Sequence, residues 1–223
     1  MRIVAVADTH TFERDLGVLP EGDVFVLAGD MLRGGTLDEL QGVAAWIRGL
    51  PHRHKLVIAG NHDWCFVHDP RAAREILGDA VYLEDTEAVL DGVRFWVSPW
   101  QPDYNEWAFN LPRGAALAEQ WAKIPLGVDV LVTHGPPGGF GDHGSVSGRA
   151  GCEDLLHRVR EVRPLLHLFG HIHEDGGAWQ DGGTCFANVT TWESERMPTV
   201  LDVDVRTKTV RAVSVPPSRA PGR

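Results

Sequence analysis

Short runs of Val, Ile, Leu and Ala, too brief for helices, recur through the first sixty residues, and each breaks off at a polar cluster. Residues 2–7, 23–28 and 55–59 are such runs, and they read as strands buried on both faces. Between the second and third, a helix is expected over 37–50, because Leu37, Leu40, Ala44 and Ile47 fall on one face. Thr36 with Glu39 makes a capping box at its start, and Pro51 stops it. A shorter helix is expected after Pro70, carrying Ala73, Ile76 and Leu77. Strand–helix–strand order of this kind requires a parallel sheet with right-handed crossovers.

The pattern then changes. Closely spaced strands are expected at 80–83, 88–90 and 93–97, with a turn at Asp91-Gly92. A helix over 112–123 would place Leu117, Trp121 and Ile124 on one side, and 128–133 reads as another buried strand. A helix over 152–162 uses Leu155, Leu156, Val159 and Val162. Strands at 165–169 and 184–188 and a hairpin of 199–205 with 207–213 complete the chain. The expected fold is α/β, a two-sheet β-sandwich flanked by helices. It forms a single domain over 1–215, with a flexible Pro/Arg-rich tail at 216–223.

The net charge of −10 argues against non-specific nucleic-acid binding, which needs Lys and Arg to displace counterions from phosphates. A small phosphate-ester substrate remains compatible, since bound divalent ions make a site locally positive. The amino-terminal apolar stretch is too short for a signal segment, and no apolar run is long enough to span a bilayer. A cytoplasmic protein without membrane partners is expected. Cys65, Cys152 and Cys185 are far apart and odd in number, as buried free thiols would be.

Five polar clusters sit at the carboxyl ends of expected strands: Asp8-Thr9-His10, Gly29-Asp30, Gly60-Asn61-His62-Asp63, Thr133-His134-Gly135 and Gly170-His171-Ile172-His173. Strand carboxyl ends line the functional edge of α/β folds, so the five can converge. Their side chains are carboxylate, imidazole and amide, donors that suit Mn, Fe, Zn, Ni or Co. No thiolate joins them, which disfavours a structural zinc site. Two divalent ions ~3.5–4 Å apart can share a bridging carboxylate and activate a water. A mononuclear iron site of two His and one carboxylate would leave Asn61 and the remaining donors unexplained.

The ordered set D-x-H, G-D, G-N-H-D, T-H-G and G-H-x-H spans about three-quarters of the chain and resembles the calcineurin-like metallophosphoesterases. The stretches Thr133–Pro137 and Gly170–Glu174, and Gly151-Cys152 before a Leu-Leu helix, are similar to the metallophosphoesterase-domain-containing branch, relatives of class III cyclic-nucleotide phosphodiesterases. The resemblance implies two divalent metal ions, Mn being the favoured pair. Asp8, His10 and His173 would hold the first, Asp30 would bridge, and Asn61, His134 and His171 would complete the second. His62 would face the phosphate as acid or transition-state stabiliser, and Asp63 would orient His62.

A metal-activated hydroxide attacking a small phosphodiester is the implied reaction, on cyclic nucleotides or aryl diesters. Phosphomonoesterase activity and a metal-binding scaffold without turnover are the alternatives. One departure is visible: Arg33 and Gly34 stand where the protein-phosphatase pattern has Asp and Arg, which disfavours an arginine clamp of that type.

Outside these motifs, His52, His54, His68, His157 and His167 read as ordinary, with His167 inside a strand. Asp142 and His143 lie in a glycine-rich stretch that either borders the substrate or forms a surface loop. Trp96, Trp100, Tyr104, Trp107 and Phe109 are expected to pack a long connection against the core; the other reading is a pocket wall for an aryl group. Arg113 is expected at the surface, and Asn188 in a turn.

Overall fold

The computed structural model describes residues 1–144 and 148–218. The amino-terminal part runs β1 (Arg2–Val6), β2 (Val24–Ala28), α1 (Leu37–Gly49), β3 (His54–Ile58), α2 (Cys65–His68), α3 (Pro70–Leu77) and β4 (Val81–Tyr82). The middle adds β5 (Thr86–Leu90), β6 (Val93–Ser98), the short β7 (Gln101–Pro102) and β8 (Asn110–Leu111), α4 (Ala115–Ala122) and β9 (Val130–Thr133). Then come the short β10 (His143–Gly144) and β11 (Gly148–Arg149), α5 (Glu153–Val162), β12 (Leu166–Phe169), β13 (Gly177–Asp181) and β14 (Thr184–Asn188). The hairpin of β15 (Thr199–Asp204) and β16 (Thr209–Ser214) closes the sequence of elements.

Two six-stranded mixed sheets result, ordered β16-β15-β1-β2-β3-β4 and β13-β14-β12-β9-β6-β5. The run β1 to β4 is parallel, as its crossover helices require, and so is the central run β14-β12-β9-β6. Antiparallel strands occur only toward the edges.

Side-chain alternation along each strand builds four layers. Ile3, Ala5, Val24, Val26, Leu56 and Ile58 meet Phe95, Val97, Val130, Val132, Leu166 and Leu168 between the sheets. The opposite face of the first sheet, with Val6, Phe25, Leu27 and Val57, is covered by Leu40, Val43 and Ile47 of α1 and by Ala73 and Leu77 of α3. On the second sheet, Leu131, Phe169 and Phe186 are covered by Leu117 and Trp121 of α4 and Leu155 and Val159 of α5. Sheet-on-sheet packing with helices outside is the expected architecture.

The local signals act as their chemistry predicts. Thr36 and Glu39 form the capping box of α1, and Leu50 before Pro51 is extended, which ends the helix. Asp91 and Gly92 both take positive φ in the β5–β6 hairpin. Some details differ from expectation, among them the two-residue strands β7, β8, β10 and β11. The helix expected from 112 starts at Ala115, because Gly114 has φ 87° and cannot belong to it. The strand β13 and the single turn α2 were not expected, since neither carries an apolar periodicity.

All three cysteines are free and buried. Among the described residues, no helix is long and apolar enough to cross a membrane. Of the expected tail, Pro216 and Pro217 accept hydrogen bonds from the buried Arg196, and Ser218 donates to the Glu174 carbonyl. Residues 219–223 lie outside the described residues, as do 145–147 of the glycine-rich stretch.

Candidate metal centre

The carboxyl ends of β1 and β2 stop where the backbone leaves the extended region. Asp8 has φ 57°, Gly29 φ 91° and Asp30 φ 52°. The loops that follow hold one another through Asp8 N–H to Gly29 O (3.1 Å) and His10 N–H to Asp30 O (3.1 Å). The second sheet reaches the same edge: Ala7 N–H donates to Val189 O, and Gly170 N–H to His134 O. Glycine is required where ligands crowd the backbone. A Cβ on Gly29 would lie 2.3 Å from His134 Nδ1, and one on Gly60 would lie 2.3 Å from Asp30 Oδ1. Four of the seven expected ligands, Asp8, His10, Asp30 and His171, have positive φ. Such conformations cost free energy in non-glycine residues and persist where function holds them.

The seven expected ligands meet in one cradle. Ligand atoms of Asp8, His10 and His173 lie within 4.8 Å of one another, as do those of Asp30, His134 and His171. Asp30 Oδ2 stands 4.0 Å from His10 Nε2 and 3.4 Å from His134 Nε2. His173 Nε2 is 3.4 Å from His10 Nε2 and 3.8 Å from Asp8 Oδ1. Asn61 joins through Oδ1, 2.9 Å from His134 Nε2.

The donor set fits cations. His10 Nδ1 lies 3.0 Å from Leu32 O, and His134 Nδ1 lies 3.0 Å from Ala28 O. A carbonyl only accepts, so each Nδ1 carries a proton and each Nε2 is turned toward Asp30. Holding a ligand imidazole by its other nitrogen is the usual device in metal sites. Asp8 and Asp30 are sealed from water, and no Lys or Arg is paired with either among the described residues. Asp8 accepts from the His171 N–H (3.1 Å), and Asp30 accepts from the His62 N–H (2.8 Å) and from His134. Two carboxylates buried this close together are still costly without further positive charge, which divalent ions would supply. The electrostatics carry the same sign. Burial by itself would lower His134, yet attraction and hydrogen bonding to Asp30 raise it to about 9. Burial would raise Asp30, but attraction to His134 outweighs it and holds the carboxyl well below the usual range. His171 is lowered to about 4 by burial and by repulsion from His134.

Ligand atoms of His62, His10 and Asp30 also lie within 4.8 Å of one another, and the His62 and His10 rings meet edge-on with centroids 4.6 Å apart. Its Nδ1 donates to Arg33 O at 2.8 Å, which aims Nε2 into the cradle. The orienting role expected of Asp63 therefore falls to the Arg33 carbonyl. Asp63 is buried and braces backbone instead: Gly60 N–H (2.8 Å), Leu32 N–H (3.0 Å) and Met31 N–H (3.4 Å) donate to it. Burial, then repulsion from Asp30, push its carboxyl up to about 8. The Arg33 guanidinium lies over Phe12.

The aromatic segment divides between the two readings made of it. Trp96 and Phe109 are buried in the core, whereas Trp107 packs on the His62 ring. Tyr104, Arg113 and Arg149 line a cleft of about 350 Å³ that also touches His171 and His173. Arg113 is exposed, and it donates to the carbonyls of Ala150 and Gly151. Buried Asp142 pairs with Arg149 and caps Gly139 N–H, so part of the glycine-rich stretch borders the cleft. Asn188 is buried and ties Gly141 O to Ile172 O beside the ligand loop. A tie between such distant loops has no short-range signature in the sequence.

Oxygen and nitrogen donors cradled at the strand ends of a helix-flanked double sheet make a site suited to divalent cations. The chain belongs to the calcineurin-like phosphoesterase family, whose model matches residues 1–175. Members are metal-dependent phosphoesterases, typically dinuclear, which places this chain among the phosphoester hydrolases. It is 39% identical to human metallophosphoesterase domain-containing protein 1, over 91% of this chain and 71% of the relative. It is 35% identical to a UPF0046 protein of Caenorhabditis elegans, over 94% of this chain and 61% of the relative. The fold is similar to that of the protein TT1561 of Thermus thermophilus, with a TM-score of 0.62 at 15% identity, covering 95% and 97% of the two chains.

Proposed function

We propose that this protein is a phosphodiesterase acting on small diesters, such as cyclic nucleotides or aryl phosphodiesters, with two divalent ions, Mn being the favoured pair. The observation that carries the two-ion reading is Asp30, whose Oδ2 lies between His10 Nε2 at 4.0 Å and His134 Nε2 at 3.4 Å. In this reading Asp8, His10 and His173 hold one ion, Asn61, His134 and His171 hold the other, and Asp30 serves both. When bound, the ions would neutralise the phosphoryl oxygens and lower the pKa of the attacking water.

The remaining work belongs to the chain. His62, outside the two ligand sets, presents Nε2 to the phosphate and gives a proton to the departing ester oxygen. The backbone braced by Asp63 keeps Asp30 and Asn61 at fixed separation. The cleft beside His171 and His173 offers about 350 Å³ to the organic part of an ester, and the diester preference itself follows the resemblance to class III cyclic-nucleotide phosphodiesterases. Arg33 packs on Phe12 and so does not act as an arginine clamp of the protein-phosphatase type.

The test is turnover of bis(p-nitrophenyl) phosphate, cyclic nucleotides and p-nitrophenyl phosphate by the full chain, with and without added Mn. Faster metal-dependent cleavage of the diesters supports the reading. Cleavage of the monoester alone, or none, overturns it.

A further inference from the structure

Trp107 is half-buried, yet it belongs to none of the three apolar clusters that form the core of the described residues. Its ring packs on His62, with centroids 4.0 Å apart and planes inclined by 35°. The four residues before it, Asp103 to Glu106, are exposed, so the segment turns inward only at Trp107. That turn is made by Asn105 and Glu106, both with φ near +50° (51° and 53°). Two consecutive non-glycine residues in the left-handed region are uncommon and imply an enforced conformation.

What enforces it is a set of bonds at the base of the segment. Gln101 Nε2 donates to Ala108 O (2.8 Å) and to Asn110 Oδ1 (2.7 Å), and Asn110 Nδ2 donates to Tyr104 O (2.9 Å). Ala108 N–H donates to Asn61 O at 3.1 Å, which joins the segment directly to the residue preceding His62. The loop is thus referenced to the metal-binding loop, and its indole is delivered to one side chain.

We infer that Trp107 is a positioning residue for His62. The His62 ring is held at three places: Nδ1 on Arg33 O, an edge on His10, and a face on Trp107. The covalent link through Cβ and the one hydrogen bond leave the ring able to tilt through coupled changes in its side-chain torsions. Packing of the indole on one face removes that freedom and keeps water off that face. Nε2 then stays aimed at the ester oxygen that must receive its proton. No bond to Trp107 forms or breaks, and the proton passes from His62 to the leaving oxygen.

This inference rests on the reading of His62 as proton donor, and the experiment separates the two. Steady-state kinetics are measured for wild type, Trp107→Ala, Trp107→Phe, His62→Ala and the double variant, with bound metal counted in each. Two diesters are used, one releasing p-nitrophenolate and one releasing the more basic phenolate. Trp107→Ala should lower kcat by about 10–100-fold, the range expected when a catalytic group is misplaced by about an ångström. KM and metal content should stay unchanged. The loss should be larger for the phenolate ester, because the poorer leaving group needs the proton more. Trp107→Phe should recover most of the rate, and the double variant should be no slower than His62→Ala.

A wild type without metal-dependent turnover, or a His62→Ala variant with full activity, removes the reading of His62 and the inference with it. A defective His62→Ala beside an unimpaired Trp107→Ala overturns the inference alone. So does a Trp107→Ala that raises KM, loses metal, or slows the His62→Ala background by the same factor. Should Trp107→Ala fold poorly, Trp107→Leu carries the same comparisons.

Discussion

Arg2 and Asp202 pair at the amino end of β1 in contact with water, while Asp8 and Asp30, just past the carboxyl ends of β1 and β2, are sealed from it. The side chains are 42% and 26% exposed in the first pair and 0% and 2% exposed in the second. The amino end also carries the larger cavity, about 970 Å³, where the lining residues Arg2 and Arg211 are already paired with Asp202. Cavity size therefore does not locate the chemistry. The cradle is distinguished by carboxylates sealed from solvent and faced by imidazoles rather than by Lys or Arg among the described residues, in backbone that departs from favoured φ. A cluster of buried carboxylates is tolerated where cations balance it.

The largest effect expected follows from removing the shared carboxylate. Asp30→Ala should lower diester turnover by at least about 10³-fold and empty both metal positions, given the rate supplied by paired ions. Metal analysis of the purified variant beside its kinetics checks this; two ions retained would show that Asp30 does not join the sets. His62→Ala comes next, with a loss of about 10²–10⁴-fold in kcat, the span of general acid catalysis, and normal metal content. An emptied metal position in that variant would make His62 a ligand. Chelation should lower the Tm of the wild type by about 10–20 °C, as expected for loss of two ions each held near a hundredfold above Kd. The same treatment should barely move Asp30→Ala.

How much of this was legible in the sequence depends on range. Strand ends such as Ala7-Asp8 and Ala59-Gly60 announce themselves, because apolar runs stop at donor residues within two positions. The ligand types and order were readable for the same reason. The support for His62 was not, since Arg33 O and Trp107 reach it from 29 and 45 positions away. Backbone carbonyls have no residue signature, and an aromatic inside an aromatic-rich segment reads first as core. Asp63 shows the converse error: adjacency to His62 suggested a contact that the loop geometry directs instead to the Gly60, Met31 and Leu32 amides.

A buried imidazole with no carboxylate beside it sharpens the contrast. His167, inside β12, is fully buried, bonds Thr133 Oγ1 at 2.9 Å, and is lowered to about 3 by burial. His134 experiences the same burial and moves the other way, because Asp30 is present. The sign for stability is fixed by which state binds the proton. Between about pH 6.5 and pH 3 the unfolded chain protonates this histidine and the folded chain does not, so stability falls as pH falls through that window. Urea melts at pH 7 and pH 5 should show wild type losing about 2 kcal/mol more than His167→Phe. An equal loss in both would mean that His167 takes up its proton while folded.

The smallest effect is expected at the amino end, and it decides whether burial or mere charge separates the two regions. Asp202 accepts from Arg2 Nε at 2.8 Å and pairs also with Arg211, and the Arg2 hydrogen bond foremost lowers its carboxyl to about 2. Its contribution is present above the ordinary carboxylate range and fades as pH falls toward 2. Water screens this pair, and added salt screens it further. Asp202→Asn should therefore shift Tm by only about 1–2 °C at low ionic strength and less at high salt. Bound metal and turnover should not change. A shift as large as that of chelation would mean that exposed and buried carboxylates contribute alike in this fold, and the contrast between its two ends would lose its physical basis.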